Sequence, residues 1–179
     1  MSECETFFSE KMNTPLGTAI LVADQNGALR MFFWEDQADT WRKRFHHKYG
    51  AAVVVPRRDP FGHIATLKRY FEGEIVALNE IFVVFRGTPF QKKVWSALRT
   101  IEGGTTLSYG ALARRIHEPK AVRAVGVANG SNPVGVVVPC HRVIGSDGSL
   151  TGYGGGLARK RWLLEHEARH SPWRLEMSA

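Results

Sequence analysis

Hydrophobic residues recur with strand spacing in the first half of the chain and with helix spacing in the second. Thr14-Pro15-Leu16-Gly17 reads as a turn leading into an apolar strand over Thr18 to Ala23, and Asp24-Gln25-Asn26-Gly27 carries a strong hairpin signal before Ala28 to Trp34. Trp41, Phe45 and Tyr49, four residues apart, predict a helix over Thr40 to Tyr49 with Arg42-Lys43-Arg44 and His46-His47-Lys48 on its outer face. Ala51 to Val55 reads as a strand. Asp59-Pro60 supplies a cap and first-turn proline for a helix through Ile64, Leu67, Tyr70 and Phe71 that ends at Gly73, and Ile81 to Phe85 is expected to close the sheet. The residues up to Glu10 are read as a loose start.

The type of pattern changes at Arg86-Gly87. Thr88-Pro89 caps a helix in which Phe90, Val94, Trp95 and Leu98 share a face. Ser108 caps a second helix, Tyr109 to Ile116, and Pro119-Lys120 starts a third that runs through Ala121, Val122, Ala124, Val125 and Ala128. Two short helices joined by a tight turn, the second built of small residues with Arg123 projecting, make a helix-turn-helix pattern. Asn129-Gly130-Ser131-Asn132-Pro133 is a dense turn cluster. It feeds Val136-Val137-Val138, a β-branched run expected to be a buried strand end, which Pro139 stops. A last helix is expected over Leu157 to Ala168, with Leu163 and Leu164 inward and a loose tail after Arg169. The boundaries expected are therefore 1–86 and 87–179, with the tail from about 170.

Charge sharpens that division. Residues 1–86 hold 11 Lys and Arg against 11 Asp and Glu; residues 87–179 hold 13 against 6, so the whole net charge of +7 lies in the second half. Lys and Arg gathered on one domain are what a phosphate backbone attracts. No apolar run approaches the ~20 residues that a membrane span requires, and the first residues lack a basic, then apolar, leader, so a cytoplasmic address is expected. Cys4 and Cys140 are the only cysteines, which fits a reducing compartment without a disulfide framework. His46-His47 has no Cys or acidic partner at ligand spacing, so no metal and no cofactor are expected.

Chemistry concentrates at Pro139-Cys140-His141-Arg142-Val143. A cysteine attacks as its thiolate, and a neighbouring base or cation assists its formation. Cys140 is therefore a candidate nucleophile, though a buried and inert thiol would carry the same residue pair. A cysteine hydrolase and a helix-turn-helix regulator with Cys140 as a sensor are also compatible with these features. Thr151-Gly152-Tyr153-Gly154-Gly155-Gly156 lacks the strand and the Lys-Ser/Thr of a P-loop; it reads as a loop whose backbone can approach a flat ligand.

Pro139-Cys140-His141-Arg142-Val143, preceded by Ala121-Val122-Arg123-Ala124-Val125-Gly126 and Asn129-Gly130-Ser131-Asn132-Pro133, closely resembles the O6-alkylguanine-DNA alkyltransferase family. The likeness runs from Gly87-Thr88-Pro89-Phe90-Gln91 to Trp162-Leu163-Leu164-Glu165-His166-Glu167. It implies an α/β (α+β) fold: a small N-terminal ribonuclease-H-like domain with an antiparallel sheet, then a mainly helical active-site domain containing the helix-turn-helix. It also implies a repair protein that flips O6-alkylated guanine out of double-stranded DNA and moves the alkyl group irreversibly, once, onto Cys140. On that resemblance His141, through a water, and Glu167 behind it relay the thiol proton. Arg123 fills the vacated base stack, Tyr109 crowds the flipped nucleotide, and Asn132 braces the turn before the acceptor. Ala121, Ala124, Gly126 and Ser131 face DNA in the minor groove, largely without regard to sequence. Val143, Tyr153, Gly154 and Gly155 line the guanine pocket, which the glycine at 154 should widen. The family's N-terminal zinc site is not expected with Cys4 alone, and a monomer, with cooperativity on DNA left open, completes the picture.

Overall fold

The computed structural model describes residues 5–171. A four-stranded sheet comes first, in the order β3-β2-β1-β4, from β1 (Thr6–Thr14), β2 (Gly17–Asp24), β3 (Leu29–Trp34) and β4 (Val53–Pro56). β1, β2 and β3 are antiparallel neighbours, while β4 joins β1 in parallel at the edge. Gly27, at φ +82°, makes the tight bend between β2 and β3 that a side chain would resist. Two expectations are corrected here. The start is not loose from Thr6 onward, because Phe7 and Met12 are buried and β1 sits between two partners. Ile81 to Phe85 does not form a fifth strand; it meets β3 only at Leu29, whose N–H donates to the Phe82 carbonyl at 2.8 Å.

Period-2 alternation splits the sheet's side chains between two cores. Val22, Met31 and Phe33 face α1 (Ala38–Tyr49) and pack on its Trp41, Phe45 and Tyr49. Ala19, Leu21, Phe32 and Trp34 face the rest of the chain and join a single apolar cluster that crosses Arg86-Gly87 to include Val94, Trp95, Val125 and Leu163. Burial of both faces is what holds the sheet against the helices, at about 25 cal/mol per Å² of apolar surface removed from water.

The helices that follow are α2 (His63–Phe71), α3 (Pro89–Leu98), α4 (Tyr109–Arg115), α5 (Val122–Gly130) and α6 (Leu157–His170). Asp59-Pro60 does not start α2, whose N-cap is Gly62, yet the Asp59 carboxylate still accepts from the N–H groups of Ile64 and Ala65. α3 opens with a complete capping box: Thr88 Oγ1 accepts from Gln91 N at 3.1 Å and Gln91 Oε1 accepts from Thr88 N at 3.0 Å. Thr88→Ala removes that cap from an exposed site and is expected to cost about 1 kcal/mol, read as a lower urea midpoint with an unchanged slope. Ser108 caps α4 through Ala111 N, as its position suggests. α5 begins at Val122, later than Pro119-Lys120. α4 and α5 pack on each other and on α3, where the Trp95 indole N–H donates to the Ala128 carbonyl at 2.8 Å.

Val136-Val137-Val138 is a turn, not a strand end. Its amides are used locally: Val137 N donates to Gly135 O at 2.7 Å, Val138 N to Val134 O at 2.9 Å and Cys140 N to Val138 O at 2.8 Å. Val136 takes φ +65°, a costly conformation for a β-branched residue. The run's apolar character reflects burial, since all three valines are in the core. A single 3₁₀ turn, Cys140–Arg142, then leads to β6 (Val143–Ile144), which pairs in parallel with β5 (Leu107–Ser108). The expected tail falls from residue 172 onward outside the described residues, as does Cys4. No helix among the described residues is long and apolar enough to cross a membrane.

Candidate active site

Cys140 is buried at the base of a cleft between the two halves of the chain. Asn132, Tyr153, Gly154 and Gly155 line the cleft with it, Val143 is not among the lining residues, and Phe32, Trp34, Gln37 and Trp41 form a wall that the sequence does not announce. Asn132 organises the turn from inside: its amide nitrogen donates to the Val138 carbonyl at 2.7 Å and its amide oxygen accepts from Val134 N at 3.0 Å. Burial pushes the Cys140 thiol up, against the opposing pull of Asn132 and of the Lys160 charge, so at rest the sulfur keeps its proton.

Behind the thiol lies a fully buried polar cluster. His141 Nε2 and Glu167 Oε1 are 2.8 Å apart, and both side chains are inaccessible to solvent. Arg142 grips the same carboxylate bidentately, Nε to Oε2 at 2.8 Å and Nη2 to Oε1 at 2.9 Å, while its Nη1 donates to the Ile101 carbonyl at 2.5 Å. Tyr70 Oη donates to Oε1 at 2.9 Å and Gly104 N to Oε2 at 3.3 Å. Burial alone would raise the Glu167 pKa, but the charges and hydrogen bonds of His141 and Arg142 outweigh it and hold the group well below the usual carboxylate range. An ionised carboxylate only accepts, so His141 Nε2 must carry the proton and Nδ1 the lone pair. That Nδ1 is buried with no hydrogen-bond partner. Burial also lowers the imidazole's pKa in spite of Glu167, leaving it neutral and able to accept a proton near pH 7.

Lys160 is a residue that the sequence reading missed. It is buried on α6, its Nζ donating to the Val143 carbonyl at 2.6 Å and the Thr151 carbonyl at 2.7 Å, and its charge acts on Cys140. The signal was present: positions 160, 163 and 167 are one stripe of the helix, and all three residues are buried. A lysine on a buried stripe calls for a function or a partner. Tyr109, at the start of α4, is half-buried and donates from Oη to the same Thr151 carbonyl at 3.1 Å. Gly126 of α5 faces its ring. Arg123 and Ala124 are exposed on α5, Ala121 is half-exposed at its N-cap, and Val122 and Val127 stand out to solvent beside them. The Ser131 hydroxyl is turned back onto the Ala128 carbonyl at 2.9 Å.

Residues 89–169 match the family model described as 6-O-methylguanine DNA methyltransferase, DNA binding domain. The methylated-DNA–protein-cysteine methyltransferase of Salmonella typhimurium is 44% identical over 160 residues, 88% of this chain and 94% of that protein. The chain belongs to the methylated-DNA–protein-cysteine methyltransferase family. The whole described fold follows the family too: a crystal structure of the Mycobacterium tuberculosis O6-methylguanine methyltransferase superposes with a TM-score of 0.76 at 38% identity, covering 98% of this chain and 99% of that one. A structure of the same relative in complex with DNA superposes at 0.75, with 37% identity over 97% and 99% of the two chains. As a member of this family the protein binds DNA and repairs it by moving an alkyl group from DNA to a cysteine of its own chain.

Proposed function

We propose that Cys140 is that cysteine, used once, with His141 and Glu167 as its proton relay. The observation that carries the reading is the unpartnered Nδ1 of a buried, neutral His141 whose other nitrogen is held by Glu167, next in sequence to the buried thiol. Nδ1 takes the thiol proton through an intervening water; Glu167 fixes the tautomer and stabilises the imidazolium that results. Sγ forms its bond to the alkyl carbon as the carbon–O6 bond breaks, and the bonding electrons leave with guanine, which takes up a proton. Lys160 favours the transient thiolate by its charge. The product is a thioether, which no group in the site is placed to hydrolyse, so each chain reacts once. Tyr109 and the backbone of Val143, Tyr153, Gly154 and Gly155 receive the base.

The reacting atom of a paired guanine cannot reach a buried sulfur, so the base must leave the stack, at a cost of a few kcal/mol that protein contacts offset. α5 is suited to the minor groove: small residues permit close approach, Arg123 can fill the gap left by the base, and Ala121, Ala124 and Gly126 present little bulk. The relative solved in complex with DNA supports DNA docking as such. One chain carries both acceptor and DNA-facing helix, which supports action as a monomer, divided functionally into 1–86 and 87–179, in a reducing cytoplasm where a free thiol persists.

Arg123→Ala separates flipping from chemistry. It is expected to slow methyl transfer from duplex O6-methylguanine by at least tenfold, while transfer from the free base O6-benzylguanine, which needs no flipping, stays within twofold of wild type. Equal loss on both would place Arg123 in the chemistry or the fold instead. Single-turnover label transfer reads both rates.

A further inference from the structure

The N-terminal half, which walls one side of the cleft, also holds the loop on the other side. Gln37, at the end of the 3₁₀ turn Glu35–Gln37 that follows β3, donates its side-chain amide N–H to the carbonyl of Gly154. Around it the Arg159 guanidinium stacks on the Trp34 ring at 4.6 Å, donates to the Gly155 carbonyl at 3.1 Å and pairs with Asp36 at 3.0 Å. Gly155 is pressed so closely that a Cβ there would lie 2.6 Å from Trp34 Nε1. Gly154 is different: a Cβ there would meet only the Gly130 carbonyl, at 3.9 Å, so the gap between these two glycines is where the cleft is narrow but unfilled.

The cleft beside Cys140 offers about 30 Å³ to a water-sized sphere. A single water needs about 10–15 Å³, so the space at Cys140 is tight, and outward displacement of the 152–156 loop is what would widen it for a bulky adduct. The carbonyl of Gly154 in that loop is tied to Gln37.

We propose that Gln37 is a specificity-determining positioning residue of alkyl transfer: by tethering the Gly154 carbonyl it limits how far the cleft widens, and so how large an O6 substituent reaches Cys140. The substituent must lie between O6 and Sγ, on the side walled by Phe32, Trp34 and Trp41, and aromatic faces accept a flat adduct once the loop gives way. A methyl group needs the smaller opening and a benzyl group the larger. The tether therefore penalises the second more than the first. The inference rests on Cys140 being the acceptor.

The test uses the full chain and two duplexes, carrying O6-methylguanine or O6-benzylguanine, with single-turnover rates for wild type, Gln37→Ala and Gln37→Glu. Glutamate keeps the length of the side chain and loses the donor. Both variants are expected to raise the benzyl-to-methyl rate ratio about fivefold, the equivalent of one ordinary hydrogen bond. An unchanged ratio overturns the proposal. So does a parallel fall on both substrates, which is what a merely structural role gives. Gln37→Asn, which keeps the donor on a shorter arm, is expected to fall between wild type and alanine. If wild type itself takes no alkyl group on Cys140, the acceptor assignment has failed and not the tether.

Discussion

Cys140→Ala is expected to abolish alkyl uptake entirely while the fold and the affinity for alkylated duplex remain. In the proposed reaction it is the sulfur that forms the new bond. His141 is buried behind it with its Nε2 on Glu167, and Glu167 is covered by Tyr70, Arg142 and Gly104. The cleft residues are otherwise aromatic, amide or glycine. The change removes one buried heavy atom, which costs about 1 kcal/mol or less, so loss of transfer would not reflect unfolding. Label transfer from duplex O6-methylguanine should drop from one per chain to none, and binding of the same duplex should change by less than threefold. Residual transfer at more than a few per cent would mean a second acceptor.

Glu167→Gln should have the next largest effect, on stability and chemistry together. Every donor around that carboxylate points inward: Tyr70 Oη, His141 Nε2, two Arg142 nitrogens and Gly104 N. An amide keeps the shape but replaces one acceptor oxygen with a donor, which must face another donor, and it strips the buried Arg142 of its countercharge. Removing one partner of a buried ion pair costs about 3–5 kcal/mol, or roughly 10 °C in Tm for a chain of this size. Transfer should also slow about a hundredfold or more, because the imidazole loses the group that fixes its tautomer and stabilises its charged form.

The same cluster sets an acid limit. Glu167 is ionised in the fold below its ordinary range, so its contribution to stability is present above the unfolded carboxylate value, about 4.3, and is lost as pH falls beneath it. His141 is kept neutral by burial, so the unfolded chain binds the extra proton first, and stability declines as pH drops below about 6.5. Both act in one direction. Glu167→Gln should flatten the lower part of that acid decline.

Much of this site is legible in the chain itself because its parts are local. Caps at Thr88 and Ser108 act on amides three residues away, the Asn132 turn closes within six residues, and Cys140-His141-Arg142 share one 3₁₀ turn. What escapes is non-local or ambiguous. β1 owes its order to partners in β2 and β4 rather than to its own mixed sequence. Three β-branched valines announce burial, and burial is satisfied as well by a strained turn as by a strand. The Gln37 tether joins residues 117 positions apart, and nothing in either segment alone signals it. Lys160 was hidden because a lysine within a helix ordinarily faces water, and only its buried neighbours Leu163 and Glu167 show otherwise.

The account stands on where the alkyl group goes and how often. Intact and peptide masses of the protein, taken after incubation with excess duplex O6-methylguanine, measure both. One added methylene on the peptide containing Cys140, saturating at one per chain with an equal amount of guanine restored, is the predicted result. Restored guanine in excess of protein, or the added mass on Cys4 or any other residue, would contradict it.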